Sequence, residues 1–408
     1  MLHQLVAHLP GPIAERSIGA RLADWTADHD IPLTLELWNG KQFHLGASPQ
    51  VLMRLRSPRA LPHVMRPSLS SLASAYVEGL LDVEGPVQDV VRLSADMASR
   101  AGAAVQSKVA RLSHSRKLDS DSIQHHYDVS NEFYSLWLDR HMVYSCAYFH
   151  SAGQTLEQAQ EQKIDHILRK IRLQPGQRLL DIGCGWGALV LRAAQHFGAR
   201  CVGVTLSHRQ FELATQRVRE AGLQDRIEIR LQDYRDVPER FDRITSVGMF
   251  EHVGLANLRS YFRKVHDLLE DDGIAMNHGI TSSDAGSGGT PFGGGDFIDR
   301  YVFPNGELPH IGLTLQEMSG AGLEATDVEN LRLHYAMTLQ HWSARFEANA
   351  ARLREIAGEK RFRVWRAYLA GCAHAFDANW IALHQIVATR PASLAHQALP
   401  LTRDYMYR

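Results

Sequence analysis

The sequence predicts an α/β protein: a mostly parallel sheet with helices on both faces, preceded by a smaller α+β domain. Three observations carry this. From about residue 120 onward, short apolar strands alternate with helical stretches, the pattern of a parallel sheet covered on both faces. A glycine-rich turn at Gly183, Gly185 and Gly187 joins one of these strands to the helix after it, where the backbone can come close to a ligand. The opening stretch, residues 1–95, instead mixes strand-like pieces with helical ones.

In chain order, strand-like Leu33–Trp38 and Gln42–Leu45 flank Asn39-Gly40, a strong hairpin signal. Ser68–Val83 places apolar residues at helical spacing and stops near Gly85-Pro86. Helix-compatible residues then run from Val87 to Leu118, and residues 96–119 read as a connector. Residues 120–408 form the third part. It opens with a helix over Leu156–Ile171, a strand over Arg178–Ile182 and a helix over Ala188–Phe197. A strand over Arg200–Val204, a helix over Ser207–Ala221 and strands over Ile227–Leu231, Phe241–Val247 and Gly273–Ile280 follow. A glycine-rich segment, Gly286–Gly295, precedes two long helical stretches over Leu339–Ala357 and Phe362–Val387. No internal repeat is present.

With 45% apolar and 22% charged residues the chain is an ordinary globular protein, long enough at 408 residues for a large and a small domain. A formal charge of −1 gives no global field to recruit nucleic acid. One local exception is the acid-free run Met97–Leu118, with Arg100, Lys108, Arg111, Arg116 and Lys117. It is either a solvated linker or a contact for anionic headgroups. Cys146, Cys184, Cys201 and Cys372 lie far apart with no CxxC pair, which argues against zinc and against a disulfide framework. The first residues lack the basic start and apolar run of a secretory signal, and no apolar run approaches a membrane span, so a cytoplasmic location is expected.

The segment Asp181-Ile182-Gly183-Cys184-Gly185-Trp186-Gly187 differs from the dinucleotide fingerprint, whose helix start faces a pyrophosphate. It resembles the first motif of class I methyltransferases, and that resemblance implies S-adenosylmethionine as cofactor. Further contacts are expected at the ends of the next strands, Thr205, Leu206 and Ser207, then Gln232 and Asp233. Asp233 can accept from an adenine amino group, and Thr205 and Gln210 can reach ribose or amino-acid atoms. Ser207 also suits a helix cap.

Four further segments narrow the resemblance. Tyr127-Asp128-Val129-Ser130-Asn131-Glu132-Phe133-Tyr134 followed by Tyr144-Ser145-Cys146-Ala147-Tyr148-Phe149 resembles a motif of the cyclopropane synthase and mycolic acid methyltransferase family. So do Gly203–Ser207 and Gly248–Gly254, the aromatic loop Phe297–Gly306, and Cys372–Phe376. An N-terminal domain makes the chain look more like the bacterial phospholipid enzymes of that family than the shorter mycolic acid ones. Ser74 and Asp377 depart from the family's pattern.

The resemblance implies transfer of a methylene group to the cis double bond of an unsaturated phospholipid: methyl transfer to the alkene, a carbocation, then deprotonation to a ring. It implies cofactor contacts from Tyr144, Ser145, Gly183, Cys184, Gly185, Thr205, Leu206, Gln210, Gln232 and Asp233. It also implies bicarbonate as the base, held by Cys146, Glu251, His278, Ile280 and Tyr335. In this reading a backbone amide and the His278 imidazole donate to the anion, the Tyr335 phenol donates to it or orients it, and Glu251 accepts its proton or steadies His278. The plainer alternative makes Glu251 a helix cap and His278 a satisfied strand histidine. Cys372 matches a position once treated as a nucleophile, but alkene methylation needs no thiol and a structural role suits it better. Association with the inner face of the membrane and a homodimer are further implications. Two other readings stay open: a methyltransferase that leaves a methyl or methylene branch on a lipid or small molecule, and a lipid-binding module without catalysis.

Overall fold

A computed structural model describes residues 31–102, 130–286, 289–304, 306–391 and 399–407. The chain divides into two compact units: residues 1–108, 289–302 and 350–374 form one, and residues 109–288, 303–349 and 375–408 the other.

The first unit holds a four-stranded sheet of order β2-β1-β3-β4, made by β1 (Leu33–Glu36), β2 (Gln42–His44), β3 (Val51–Leu55) and β4 (Leu81–Glu84). β1 and β2 are the expected antiparallel hairpin, with Gly40 at φ +83° in the turn. β3 runs parallel to β1 and antiparallel to β4. The expected helix over Ser68–Val83 is shorter. Ser68 caps it through its hydroxyl, it spans Leu69–Val77, and the chain turns at Gly79 (φ +72°) to run out as β4. Leu33, Leu35, Val51 and Met53 share one core with Leu72, Val90, Leu93 and Met97. The helix Val87–Arg100 therefore belongs to this core on both sides of residue 95. Residues carried in from later in the chain pair with it as well. Tyr301 donates to Glu78 at 3.1 Å, Lys360 pairs with Glu78 at 2.9 Å, and Arg363 pairs with Asp82 at 2.7 Å.

The second unit is built on a seven-stranded sheet of order β10-β11-β9-β8-β5-β6-β7. Its strands are β5 (Arg178–Ile182), β6 (Arg200–Thr205), β7 (Ile227–Leu231), β8 (Phe241–Val247), β9 (Leu269–Ser282), β10 (Glu324–Asn330) and β11 (Ile381–Thr389). All pair in parallel except β11, which is antiparallel to both neighbours. Successive residues of β5 enter different cores: Leu179 packs with Val190, Ala193 and Ile274, while Leu180 and Ile182 pack with Ile244, Tyr261 and Phe262. Burial on both faces is why the consecutive residues Leu179 and Leu180 are both apolar.

Two expectations fail toward the end of the chain. Phe362–Val387 is not one helix. The helix Ala350–Asp377, interrupted at Gly358 (φ +78°), stops before Asn379 (φ +58°), and the rest is β11. Every residue of β11 is buried, so its sequence carries no alternation of apolar and polar residues to separate strand from helix. The stretch Leu339–Ala357 likewise divides between helices Arg332–Ala348 and Ala350–Asp377. Among the described residues no helix is long and apolar enough to cross a membrane. The basic run at Lys108, Arg111, Arg116 and Lys117 lies outside the described residues.

Candidate active site

A pocket opens at the carboxyl ends of β5, β6, β7 and β8, and all ten residues expected to touch a cofactor line it. Gly183 (φ +79°) and Gly185 (φ +55°) take the left-handed conformations that the turn after β5 requires. A Cβ at Gly185 would meet no atom within 4 Å, because it would project into open pocket space. Gly187 (φ +87°) differs: its Cβ would stand 3.2 Å from that of Ala214, a helix-packing constraint. Cys184 is held by its backbone amide, which donates to the Val204 carbonyl at 3.0 Å.

Beyond β6, Thr205 Oγ1 donates to Gln210 Oε1 at 2.8 Å, and the Ser207 hydroxyl caps the helix His208–Glu220. Leu206 lines the pocket between them. Beyond β7, the Asp233 carboxylate is already engaged by Arg235, with Nη2 2.6 Å from Oδ2 and Nε 2.9 Å from Oδ1. Ionised carboxylates have lone pairs left for a ligand donor. Gln232 Nε2 holds the Asp236 carbonyl at 3.0 Å.

Tyr144 and Ser145 arrive on a loop pinned from two sides. The buried Asp139 carboxylate accepts from the amides of His141 (2.9 Å) and Val143 (2.8 Å), and Gln160 Nε2 donates to the Ser145 carbonyl at 2.9 Å. Tyr144 packs against Tyr134 and Trp342, with ring centroids 5.8 and 5.3 Å away.

Among the pocket residues that sequence reasoning missed are two buried charged side chains. Asp181, at the end of β5, accepts from Thr245 Oγ1 at 2.7 Å, and burial pushes its carboxyl up to about 6. It stood in plain view inside the glycine motif. Lys163, on the helix Leu156–Lys170, is fully buried and bonded to Ser145 Oγ at 2.6 Å. No local pattern marked it, since a lone lysine on a polar helix reads as solvated surface.

Cys146, Glu251, His278, Ile280 and Tyr335 form a second, connected group. The Leu331 carbonyl takes the Tyr335 amide at 3.0 Å and lies 3.8 Å from Cys146 Sγ, while the Leu331 amide donates to the Leu383 carbonyl at 2.8 Å. Leu383 pairs with Ile280 across β11 and β9, and the Ile280 amide donates to Glu251 Oε1 at 2.8 Å. His278 lies two residues earlier on β9, where Gln385 Nε2 approaches its Nδ1 at 3.1 Å. Gly279 between them must lack a side chain, because a Cβ there would come 2.0 Å from Phe250 Cε1.

The chemistry of this group lies in two buried atoms, Glu251 Oε2 and His278 Nε2, which have no hydrogen-bond partner among the described residues. Buried polar atoms are rarely left so. Burial pushes the Glu251 carboxyl up to about 7, against the pull of the Ile280 amide, and pushes the His278 imidazolium well below its ordinary range. His278 is therefore neutral. With Gln385 donating to Nδ1, its one proton sits on Nε2. Neither plain alternative holds, since Glu251 reaches across to β9 instead of capping a helix and His278 is unsatisfied.

The Ile280 amide hydrogen donates to Glu251 and orients that carboxylate. Cys146 is buried, and burial drives its thiol far up, so its side chain is inert. Cys372 belongs to the first unit and is half-buried, and desolvation pushes its thiol up to about 12.

The sheet order, the single reversed strand and a glycine-turn pocket at the strand ends define a class I S-adenosylmethionine-dependent methyltransferase fold. Within that class, the chain belongs to the mycolic acid cyclopropane synthetase family, whose profile matches residues 114–386. Residues 26–102 match a domain of unknown function.

Among curated relatives, a Pseudomonas putida protein described as "Probable fatty acid methyltransferase" is 47% identical over 93% of this chain and 97% of its own. The cyclopropane-fatty-acyl-phospholipid synthase of Escherichia coli K12 is 41% identical over 65% of this chain and 66% of its own. Among solved structures, mycolic acid cyclopropane synthase CmaA1 with SAH and CTAB superposes with a TM-score of 0.64 at 36% identity, covering 66% of this chain and 98% of its own. The cyclopropane synthase MmaA2 of Mycobacterium tuberculosis gives 0.64 at 34% identity over the same shares.

Proposed function

We propose that this protein uses S-adenosylmethionine to build a cyclopropane ring on the cis double bond of an unsaturated phospholipid acyl chain. The observation that carries the reading is the connected buried group in which Glu251 Oε2 and His278 Nε2 both lack partners among the described residues. Methyl transfer alone needs no buried acid–base pair. Completing the carbon transfer does, because the carbocation it leaves must lose a proton, from the newly added carbon when a ring closes.

The residues present fit both implied groups. Gly183, Gly185, Thr205, Gln210 and Asp233 would hold the nucleoside cofactor, with bare backbone where the ligand comes closest. His278 Nε2–H can donate to an oxyanion while Glu251 Oε2 accepts from a hydroxyl, the pairing that bicarbonate requires. When bound, S-adenosylmethionine supplies an electrophilic sulfonium methyl, and bicarbonate a base. The protein contributes placement and charge. Ile280 aims the Glu251 carboxylate, Gln385 fixes the His278 tautomer, and a carboxyl near 7 is suited to take up a proton at neutral pH. Tyr335, packed 4.5 Å from Phe376 between ring centroids, offers an aromatic face to a developing cation.

A second reading has its own support: the Pseudomonas putida relative, matching nearly the whole chain, is described as a methyltransferase. In that reading the product carries a methylene branch, or a methyl branch with a double bond retained, each formed by loss of a proton from the carbocation. A phospholipid substrate also places the protein at the cytoplasmic face of a membrane, with Arg111, Arg116 and Lys117 as the proposed headgroup contact. Incubating the protein with S-adenosylmethionine and vesicles of unsaturated phospholipid, followed by mass spectrometry and proton NMR of the acyl chains, tests the reading. Cyclopropane protons support it, and a vinylidene or methyl branch supports the second.

A further inference from the structure

Lys163 is an anomaly in the pocket wall. Its side chain is fully buried, yet among the described residues its ammonium has one hydrogen-bond partner, Ser145 Oγ at 2.6 Å, and no carboxylate within ion-pair distance. Elsewhere in the same helix the equally buried Lys170 pairs with Glu329 at 2.6 Å and with Asp327 at 3.3 Å. Buried charges are ordinarily paired, because desolvation costs several kcal/mol per ion. Lys163 lines the pocket together with Ser145 and Asp181.

We propose that Lys163, acting with the Ser145 hydroxyl that it orients, is the counter-ion for an anionic carboxylate of the pocket's ligand, the α-carboxylate of the amino-acid half of S-adenosylmethionine. This rests on the cofactor reading given above. The local chemistry is directional. By donating to Ser145 Oγ, the ammonium occupies a lone pair of that oxygen, so the hydroxyl hydrogen points away from Lys163. Ammonium and hydroxyl then present two donors to one anion. A neutral ligand group would leave the buried charge uncompensated.

The charge state of Lys163 adds a signature that mere packing would lack. Burial pulls its amine down to about 8, and the groups facing it, Cys146, Asp139 and Asp181, pull the other way. His278 is close enough to feel its charge. A carboxylate arriving beside the amine raises its affinity for a proton. Above about pH 8, ligand binding therefore takes up protons.

The test uses the full chain and two probes: S-adenosylhomocysteine, which bears the carboxylate, and 5′-methylthioadenosine, which lacks the amino-acid half. Titration calorimetry at pH 8.5 in buffers of differing ionisation enthalpy reads both affinity and proton uptake. Lys163→Met should weaken S-adenosylhomocysteine by about ten- to a hundredfold, the loss of a charge-assisted hydrogen bond. It should leave 5′-methylthioadenosine unchanged and abolish proton uptake, while Lys163→Arg should recover part of the affinity. Binding of 5′-methylthioadenosine by Lys163→Met shows that the pocket is folded. Should that variant lose both probes, Lys163→Arg decides: equal loss of both probes there makes Lys163 a structural support and overturns the assignment. Unchanged affinity for S-adenosylhomocysteine, or proton uptake that persists without the lysine, overturns it as well. If the unaltered protein binds neither probe, the cofactor reading falls first and this one with it.

Discussion

Replacing Glu251 with Gln alters one atom of consequence. The Gln carbonyl still accepts from the Ile280 amide, now 2.8 Å from Oε1, but an NH2 takes the place of the unpartnered Oε2. A group that must accept a proton becomes one that cannot, and loss of a general base typically costs about 10²–10⁴-fold in rate. Glu251 does not line the nucleoside pocket, so affinity for S-adenosylhomocysteine should not move.

The same change has a stability signature. The folded carboxyl is raised from 4.5 to about 7 by burial, so its protonated form contributes stability that is fully present below 4.5 and lost as pH rises through about 7. Gln never ionises and escapes that loss. At pH 8 the variant should gain on the order of 3 kcal/mol over the unaltered protein, and at pH 4.5 almost none. Turnover in bicarbonate-depleted and bicarbonate-restored buffer, with urea unfolding at both pH values, checks both effects. Full turnover of Glu251→Gln, or parallel stability curves, would refute the reasoning.

Gly185→Val should abolish S-adenosylhomocysteine binding in calorimetry, since φ is +55° there and a branched side chain would fill open pocket space; unchanged affinity removes Gly185 from the site. Gly279→Ala should lower stability by about 1–3 kcal/mol and reduce turnover, because its Cβ would overlap the Phe250 ring beside Glu251. An unshifted melting temperature would contradict that packing. Replacing Arg111, Arg116 and Lys117 together with Gln should weaken sedimentation with anionic vesicles, more so at low salt; unaltered sedimentation makes the segment a linker.

Local chemistry made part of this molecule readable. The Asn39-Gly40 turn, the glycine motif after β5 and the capping serine at Ser207 each impose a backbone conformation on a few neighbouring residues, and each was read correctly. β11 was not, because burial on both faces removes the alternation that identifies a strand. β3 did carry that alternation, Val51, Met53 and Leu55 buried with Leu52 and Arg54 partly exposed, and could have been found. In the site, residues within motifs were legible and residues defined by long-range contact were not. The role of Ile280 depends on Glu251 from another loop, and the isolation of Lys163 appears only once the surrounding chain is folded.

The most direct test of the central claim is the structure of the product. Acyl chains recovered after reaction with S-adenosylmethionine and a cis-unsaturated phospholipid should gain one CH2 and show the upfield proton resonances of a cyclopropane ring, and Glu251→Gln should suppress them. A product of the same mass with vinylidene protons, or one with a methyl branch, would contradict the ring-forming account, and loss of the double bond with no added carbon would contradict carbon transfer altogether.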